Sequence, residues 1–485
     1  MRRREFLAAL PALRARAAGH TFDVRESGAK GEGRTKDTAA IQRAIDRCAA
    51  AGGGTVYLGP GRYLAGTVVL KTNVTFHLEA GATLLGSTDL ADYVHQAGPP
   101  LKGDANGKHL LYAREAENVT LRGGGTIDGQ GRAFWAPANR VPPRAEDLWR
   151  DVATYDWKPL DRPSPMVEFY GCRNLRIEDV TLANAAGWTL RPIECESVII
   201  RGIKIRNPVI GPNTDGIDPT CCRNVFISDC DIATGDDAIC LKSESPYGPL
   251  GLTRNITITN CVLTCCCNGL KFGTATRGGF ENITFSNSVI YNDDVPLNQR
   301  VISGIALECV DGGWVDGVAI ANIRMQRVRT PIFIRLGNRS GGGKGRMRGV
   351  TIDNVHAEGA ILTSSITGLP GQTVEDVTLS NIRIDSEEAG KASWMRPVPE
   401  QEKSYPEARM FGRLPAYGLY CRHAAGLRLE NVRIRAVGAD ERPAFHFEDV
   451  RGLRLEGVEA TKPASEQPVA RAVRVEDQTG EALAR

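Results

Sequence analysis

The sequence predicts an all-β fold: a right-handed parallel β-helix with one N-terminal capping helix. Two observations carry this prediction. First, one short pattern recurs along most of the chain. "NVTFHLEAGATLLG" starts at Asn73, "NVTLRGGGTIDG" at Asn118, "NLRIEDVTLANA" at Asn174 and "SVIIRGIKIRNP" at Ser197. "NVFISDCDIATG" starts at Asn224, "NITITNCVLTCC" at Asn255 and "NITFSNSVIYND" at Asn282, with later copies from Gly349, Asp376 and Gly426. Each copy is a strand of alternating apolar residues, a polar corner and a second short strand. Self-similarity at a near-fixed period means stacked units. Second, the chain has 53 glycines and only 6% aromatic residues, which suits frequent turns around a thin apolar interior.

Each element follows from local chemistry. Alternation sends every second side chain inward. Asparagine at a corner tolerates left-handed backbone and can stack on the next corner. "DTAAIQRAIDRC", from Asp37 to Cys48, is the one clear helix, with Ala40, Ile41, Ala44, Ile45 and Cys48 at helical spacing. Asp37 is expected to cap it. "AAGGGTVYLGPG" then ends the helix and begins a strand. No linker demands a second domain, so residues 20–485 read as one β-helix domain. The insertions Asp92–Lys108, Phe134–Pro165 and Gln401–Gly418 read as loops that could wall one end of a cleft.

Bulk properties exclude some functions. Sixty basic and 57 acidic residues give a formal charge of +3, without the basic excess of a nucleic-acid binder. No apolar run approaches the roughly 20 residues that span a bilayer, which argues against membrane insertion. The start, "MRRREFLAALPAL", reads as a twin-arginine-type export signal over residues 1–19, placing the protein outside the cytoplasm. Thirteen cysteines show no zinc-type pairing and many fall on alternating positions, so they read as reduced core residues. A monomer is expected. His109, His356, His423 and His446 are scattered and read as structural.

Two acidic motifs stand out: "NTDGIDP", Asn213 to Pro219, and "GDDAIC", Gly235 to Cys240. Asp215 and Asp236 are 21 positions apart, about one coil, so stacking makes them neighbours. Gly235 can supply the bend that turns both Asp236 and Asp237 to solvent. Glycoside cleavage needs such a set: one protonated carboxyl for the leaving oxygen and one carboxylate to activate water or attack. Crowding raises the pKa of one of them, and no cofactor or metal is required. Asp218 reads as a turn residue. Solvated corner aspartates are the plain alternative.

In order and spacing, "NTDGID" followed by "GDDAI" resembles glycoside hydrolase family 28, which includes polygalacturonases and rhamnogalacturonan hydrolases. The segment "FDVRESGAKGEGRTKDTAAIQRAIDRCAAAGGGTVYLGPGRY" is similar to the N-terminal cap of many pectin-active β-helices. The resemblance implies a pectin-lyase-like β-helix and an inverting, metal-independent hydrolase of pectic poly- or oligosaccharides. It implies Asp236 as general acid, Asp215 and Asp237 as the water-activating pair and Asn213 as the motif asparagine beside them. Two family motifs are altered. Asn268 in "CNGLKFGT" stands where the family has histidine. "SGIALEC", from Ser303, places Ala306 and Glu308 where the family's Arg-Ile-Lys triplet provides cations. Lys242, Lys271 and Arg335 are the candidate replacements for gripping a substrate carboxylate, Arg277 a further cation, and Glu308 a candidate site residue. Trp188 or Tyr247 could stack on sugar rings. The altered motifs point to a rhamnogalacturonan-directed specificity or an unusual pectic linkage, and the three long insertions point to exo or oligomer-trimming action. A polysaccharide lyase and a non-catalytic carbohydrate-binding β-helix are the competing readings.

Overall fold

The computed structural model describes residues 20–96, 106–248, 251–341, 343–461 and 467–480. The export-signal reading, on residues 1–19, lies outside the described residues. Strands pair in parallel, each with the equivalent strand one coil on. Val198 pairs with Val225, Val225 with Ile256, and Ile256 with Ile283. Where the step is long, an insertion fills it: Thr120 pairs with Arg176 and Thr378 with Arg428. The chain is a parallel β-helix, as the repeat predicts.

Its interior is a continuous column of Val, Ile, Leu and Cys side chains. Each fully buried aliphatic side chain contributes about 1.5–3 kcal/mol. All thirteen cysteines are free, and twelve are buried, with Cys267 half-buried. They fill the interior as small apolar side chains, as their spacing suggests.

The corner asparagines do what the sequence asks of them. Asn73, Asn118 and Asn174 have φ of 62°, 55° and 54°. Their amides form a ladder, Asn118 donating to Asn73 at 2.8 Å and Asn174 to Asn118 at 3.2 Å. Asn255 donates to Asn224 and accepts from Asn282 in the same way. A side chain that hydrogen-bonds locally offsets the cost of left-handed backbone, which is why asparagine recurs there.

The helix spans Thr38–Ala50 and buries Ala40, Ile41, Ala44, Ile45 and Cys48 against the first strands. Asp37 departs from expectation. Its side chain makes no capping bond to the helix; it accepts instead from the backbone N–H groups of Lys30 and Gly31, at 2.7 and 3.0 Å. It therefore ties the preceding loop to the helix start.

One face of the β-helix concerns function. It runs through the strands Leu111–Arg114, Val167–Tyr170, Leu190–Ile193, Ile239–Leu241, Asn268–Phe272, Ser303–Cys309, Thr330–Leu336, Ser364–Thr367 and Leu419–Ala425. Leu111, Val167, Leu190, Ile239, Leu270 and Ile305 point inward. Their neighbours Tyr112, Glu168, Arg191, Cys240, Lys271 and Ala306 form the outward row.

Candidate active site

The two acidic motifs lie on this face, in adjacent coils. Parallel bridges join Ile217 to Ile239 and Thr220 to Lys242, an offset of 22 residues. The same offset sets Asp215 opposite Asp237, not Asp236, which corrects the register expected from a 21-residue coil. Tight backbone contact fixes this arrangement. A Cβ on Gly216 would lie 2.3 Å from the Ala238 carbonyl, and one on Gly235 would lie 2.2 Å from the Gly211 carbonyl. Thr214 clasps the two motifs, its hydroxyl accepting from Gly235 N–H at 3.0 Å and donating to the Gly211 carbonyl at 3.1 Å.

The carboxylates converge. Oxygens of Asp215 and Asp237 and the Cys240 sulfur lie within 4.8 Å of one another, as do oxygens of Asp236 and Asp237 with the Cys267 sulfur. Asp215 and Asp237 are buried, while Asp236 is partly accessible. Burial and the neighbouring Asp237 push the Asp236 carboxyl up to about 7. Burial, Asp236 and Asp218 push Asp215 well above the ordinary carboxylate range. Asp237 is anchored instead: it accepts from the Asn268 side chain at 2.7 Å and the Asn268 backbone at 3.0 Å, and lies 3.2 Å from Lys271 Nζ.

Both lysines are buried among acids. Lys242 Nζ lies 3.3 Å from Asp218 and 3.7 Å from Asp215, over the Trp188 ring at 4.6 Å. Burial works against the charge on Lys271, but Asp237 and Glu308 outweigh it and hold its pKa above the ordinary lysine value. Glu308 is itself buried, and burial pushes its carboxyl up to about 8. Tyr405 closes over this end, its hydroxyl accepting from Lys271 at 3.3 Å and Thr274 at 3.0 Å.

Most of the sequence-predicted residues thus meet in one place: Asn213, Asp215, Asp236, Asp237, Lys242, Asn268, Lys271 and Glu308. Asn213 accepts from Arg162, whose guanidinium also donates to the carbonyls of Ala186 and Pro212. Arg335 is placed differently. Although its backbone pairs with Glu308, its guanidinium donates to the carbonyls of Gly368, Glu400 and Gln401. It pins a loop. Arg277 is exposed and pairs with Glu244.

Sequence reasoning missed Asp218, Arg162 and Tyr405. Asp218 does not hold the turn with its side chain. Its carboxyl is fully buried beside Lys242, and burial raises it to about 6. Its position three residues after Asp215, on the outward row, was an available signal. Tyr405 comes from a distant insertion and left none. The histidine reading fits the described contacts: His423 bonds Asp449, and His109 bonds the Pro165 carbonyl at 2.8 Å.

A divalent ion at the Asp215–Asp237–Cys240 cluster would have to displace the ammonium groups beside it. Cys240 is already engaged, donating to the Gly273 carbonyl at 2.8 Å and accepting from Lys242 at 3.0 Å. The cluster is built as acids balanced by lysines.

Beyond the lysines the face is covered. Ala306, Phe333 and Tyr420 pack under Val152 and Ala153 from one insertion and Ala408, Phe411 and Leu414 from another. The Gln401–Gly418 insertion includes a short helical turn, Ala408–Phe411. Arg329 ties the first of these insertions to the β-helix, donating to the carbonyls of Trp149 and Asp151 and to that of Arg300.

Comparison with known proteins matches this architecture. The sequence profile of glycosyl hydrolases family 28 matches residues 60–402. A probable polygalacturonase of Vitis vinifera is 26% identical over 401 residues, covering 77% of this chain and 76% of the relative. The crystal structure of a hyperthermoactive exopolygalacturonase from Thermotoga maritima superimposes with a TM-score of 0.61 at 25% identity, covering 76% of this chain and 87% of that one. A family 28 exopolygalacturonase from Yersinia enterocolitica shares the fold, with a TM-score of 0.60 at 19% identity over 95% of this chain and 78% of that one. The match spans both acidic motifs and the Phe134–Pro165 insertion, and the chain belongs to glycosyl hydrolases family 28.

Proposed function

We propose that this protein hydrolyses glycosidic bonds in pectic, galacturonate-containing chains, acting from a chain end. One observation carries the chemistry: a carboxyl held near pH 7, Asp236, adjoins a paired and hydrogen-bonded carboxylate, Asp237. Asp236 is the general acid that protonates the leaving oxygen. Asp237 is the base that activates water, and Asp215 shares the water site. The reaction needs no metal and inverts the anomeric centre. Asn268 and Lys271 orient Asp237; Lys242 sits over Trp188 where a sugar ring would dock, and Asn213 and Glu308 border the subsite.

Chain-end action is supported by the covered face. A polymer that reaches Lys271 meets the packed layer of Phe411 and Leu414 over Ala306. Arg335 serves this wall by holding its backbone, so its role in substrate binding is indirect. The relatives divide between exopolygalacturonases and endo-polygalacturonases, so chain-end action is proposed on the covered face alone.

A rhamnogalacturonan substrate is the second reading. It is favoured because both buried lysines are already engaged by internal carboxylates, and no cation stands at Ala306 or Glu308 for a uronate. The product profile on homogalacturonan and on rhamnogalacturonan decides between them. Early release of short products without loss of viscosity supports chain-end action. An unsaturated, ultraviolet-absorbing product, or loss of activity with a chelator, would sink the hydrolase. The N-terminal sequence supports export by a twin-arginine-type route, and the enzyme is proposed to act as a monomer.

A further inference from the structure

The reaction proposed above gives Asp218 no task, yet the fold buries it completely. The Leu190–Ile217 and Ile217–Ile239 bridges place it on the outward row, between Arg191 and Cys240. Arg191 is engaged by Glu168 at 2.7 Å. Neither Asp218 oxygen has a hydrogen-bond partner among the described residues, and its one ion pair there is with Lys242 Nζ, 3.3 Å from Oδ1. A carboxyl that merely shaped a turn would accept a backbone N–H, as Asp89 and Asp128 do from the residues two positions on. Asp218 accepts none, so the turn does not explain it.

Lys242 does explain it. An ammonium group has three N–H donors and accepts nothing. Cys240 Sγ at 3.0 Å, Asp218 at 3.3 Å and the Gly273 carbonyl at 3.4 Å account for all three. The Trp188 ring covers a further side, 4.6 Å away. The lysine backbone is fixed as well. Its N–H donates to the Pro219 carbonyl at 3.0 Å, and its carbonyl accepts from Cys221 N–H at 3.1 Å and from the Thr253 hydroxyl at 2.7 Å. Asp215, at 3.7 Å, stands just outside this set: near enough to feel the charge and too far to be hydrogen-bonded.

The two water-site aspartates are therefore held in different ways. Asp237 accepts two hydrogen bonds from Asn268 and lies 3.2 Å from Lys271. Asp215 Oδ1 is buried without a hydrogen bond among the described residues, and Lys242 is the one ion pair of its carboxyl there. An oxygen left unbonded can accept from a water molecule; an oxygen closed by an ammonium cannot. Remove the charge of Asp218, and Asp215 becomes the carboxylate on which Lys242 closes.

We propose that Asp218 is a positioning residue: it holds the Lys242 ammonium off Asp215, so that this carboxyl keeps an oxygen for the water it shares with Asp237. Lys242 works against the burial that favours a neutral Asp215, and Asp218 sets the distance from which it does so. Asp236, Asp237, Arg191 and Cys240 are the other charged or titratable groups that face this trio. The role rests on the hydrolase reading of the face, and it belongs to a group that touches neither sugar nor water.

The test is the pH profile of kcat for the full chain carrying Asp218→Asn, Lys242→Met or both. Carbon NMR of the same chains, labelled at their aspartate carboxyls, follows Asp215 directly, its signal assigned by Asp215→Asn. Asp218→Asn is expected to lower kcat roughly tenfold and to leave KM within about twofold. It should move the acid limb of kcat and the titration of Asp215 to lower pH, because Lys242 then closes on Asp215. Lys242→Met is expected to move both to higher pH, because Asp215 loses its counter-charge. The double variant is expected to follow Lys242→Met, since Asp218 acts through the lysine. Asp218→Ser serves as a second probe should Asp218→Asn melt early. Equal or absent shifts in the two single variants overturn the proposal, as does a double variant that shifts like Asp218→Asn. Opposite shifts of the Asp215 signal in a chain whose wild type cuts no pectic substrate leave the positioning standing and overturn the hydrolase reading instead.

Discussion

The two halves of the functional face are built from the same rungs and end in opposite surfaces. Toward the N-terminus the outward row carries Tyr112, Glu168 and Arg191, buried polar side chains flanked by the partly accessible rings of Tyr170, Tyr247 and Trp188. Toward the C-terminus the corresponding positions are Ala306, Phe333 and Tyr420, buried under two insertions that pack together. The backbone is indifferent to this choice. Parallel pairing fixes where a side chain stands, and the insertions decide whether sugar or protein lies on it. A repeat fold thus sets the geometry of a binding face, and its loops set the extent.

The largest effect is expected at the seam between the halves. Asp236→Asn should lower kcat by about 10²–10⁴-fold, followed as reducing ends. Its melting temperature should not fall, because the substitution removes a crowded acid. Lys271→Met should follow. It leaves Asp237 buried without its cation, a loss of about 3 kcal/mol by denaturant melt, together with reduced turnover. Partial recovery in Lys271→Arg would assign the loss to charge rather than to packing.

Breaking the closed half is the direct challenge to the contrast. Phe411→Ala should cost about 3 kcal/mol and loosen the wall. If the wall enforces chain-end action, viscosity should then fall faster per bond cut. An unchanged ratio would mean that the covered rungs do not limit the substrate.

The pH response sharpens the contrast, since the raised carboxyls all lie at the seam. Asp218, Asp236 and Glu308 titrate near 6, 7 and 8 in the folded protein, each above its unfolded value. The folded state therefore binds protons more tightly. Their stabilising contribution is complete below about pH 4 and is lost as pH rises through about 6 to 8. The melting temperature should fall over that window, and Glu308→Gln should flatten its alkaline part. Activity should decline as pH passes about 7, where Asp236 loses its proton. The smallest effect belongs to a corner remote from both halves. Asn255→Ala breaks two ladder bonds and strains a left-handed residue, for about 1–2 kcal/mol.

The repeat was legible because alternation and corner asparagines are local signals repeated many times. The aspartates were legible because stacking converts spacing into proximity. The one-residue error in register arose because coil length in this segment is set by tight backbone contacts at Gly216 and Gly235, which periodicity does not report. Arg335 was misjudged because an arginine in an apolar strand looks alike whether it faces substrate or the carbonyls of a loop 65 residues away. Asp37 was misjudged because a helix-start aspartate can serve either the helix or the loop before it. Tyr405 and the paired insertions were out of reach, since nothing local says where a long insertion lands.

The stacking of identical rungs has a consequence for how such an enzyme could change. The distance between any two side chains of the outward row is a whole number of rungs. Inserting one coil ahead of Leu111 would lengthen the face by a single graduation and leave the acids and the Phe134–Pro165 insertion in place. The solenoid acts as a ruler, and the length of its outward face can be reset in discrete steps.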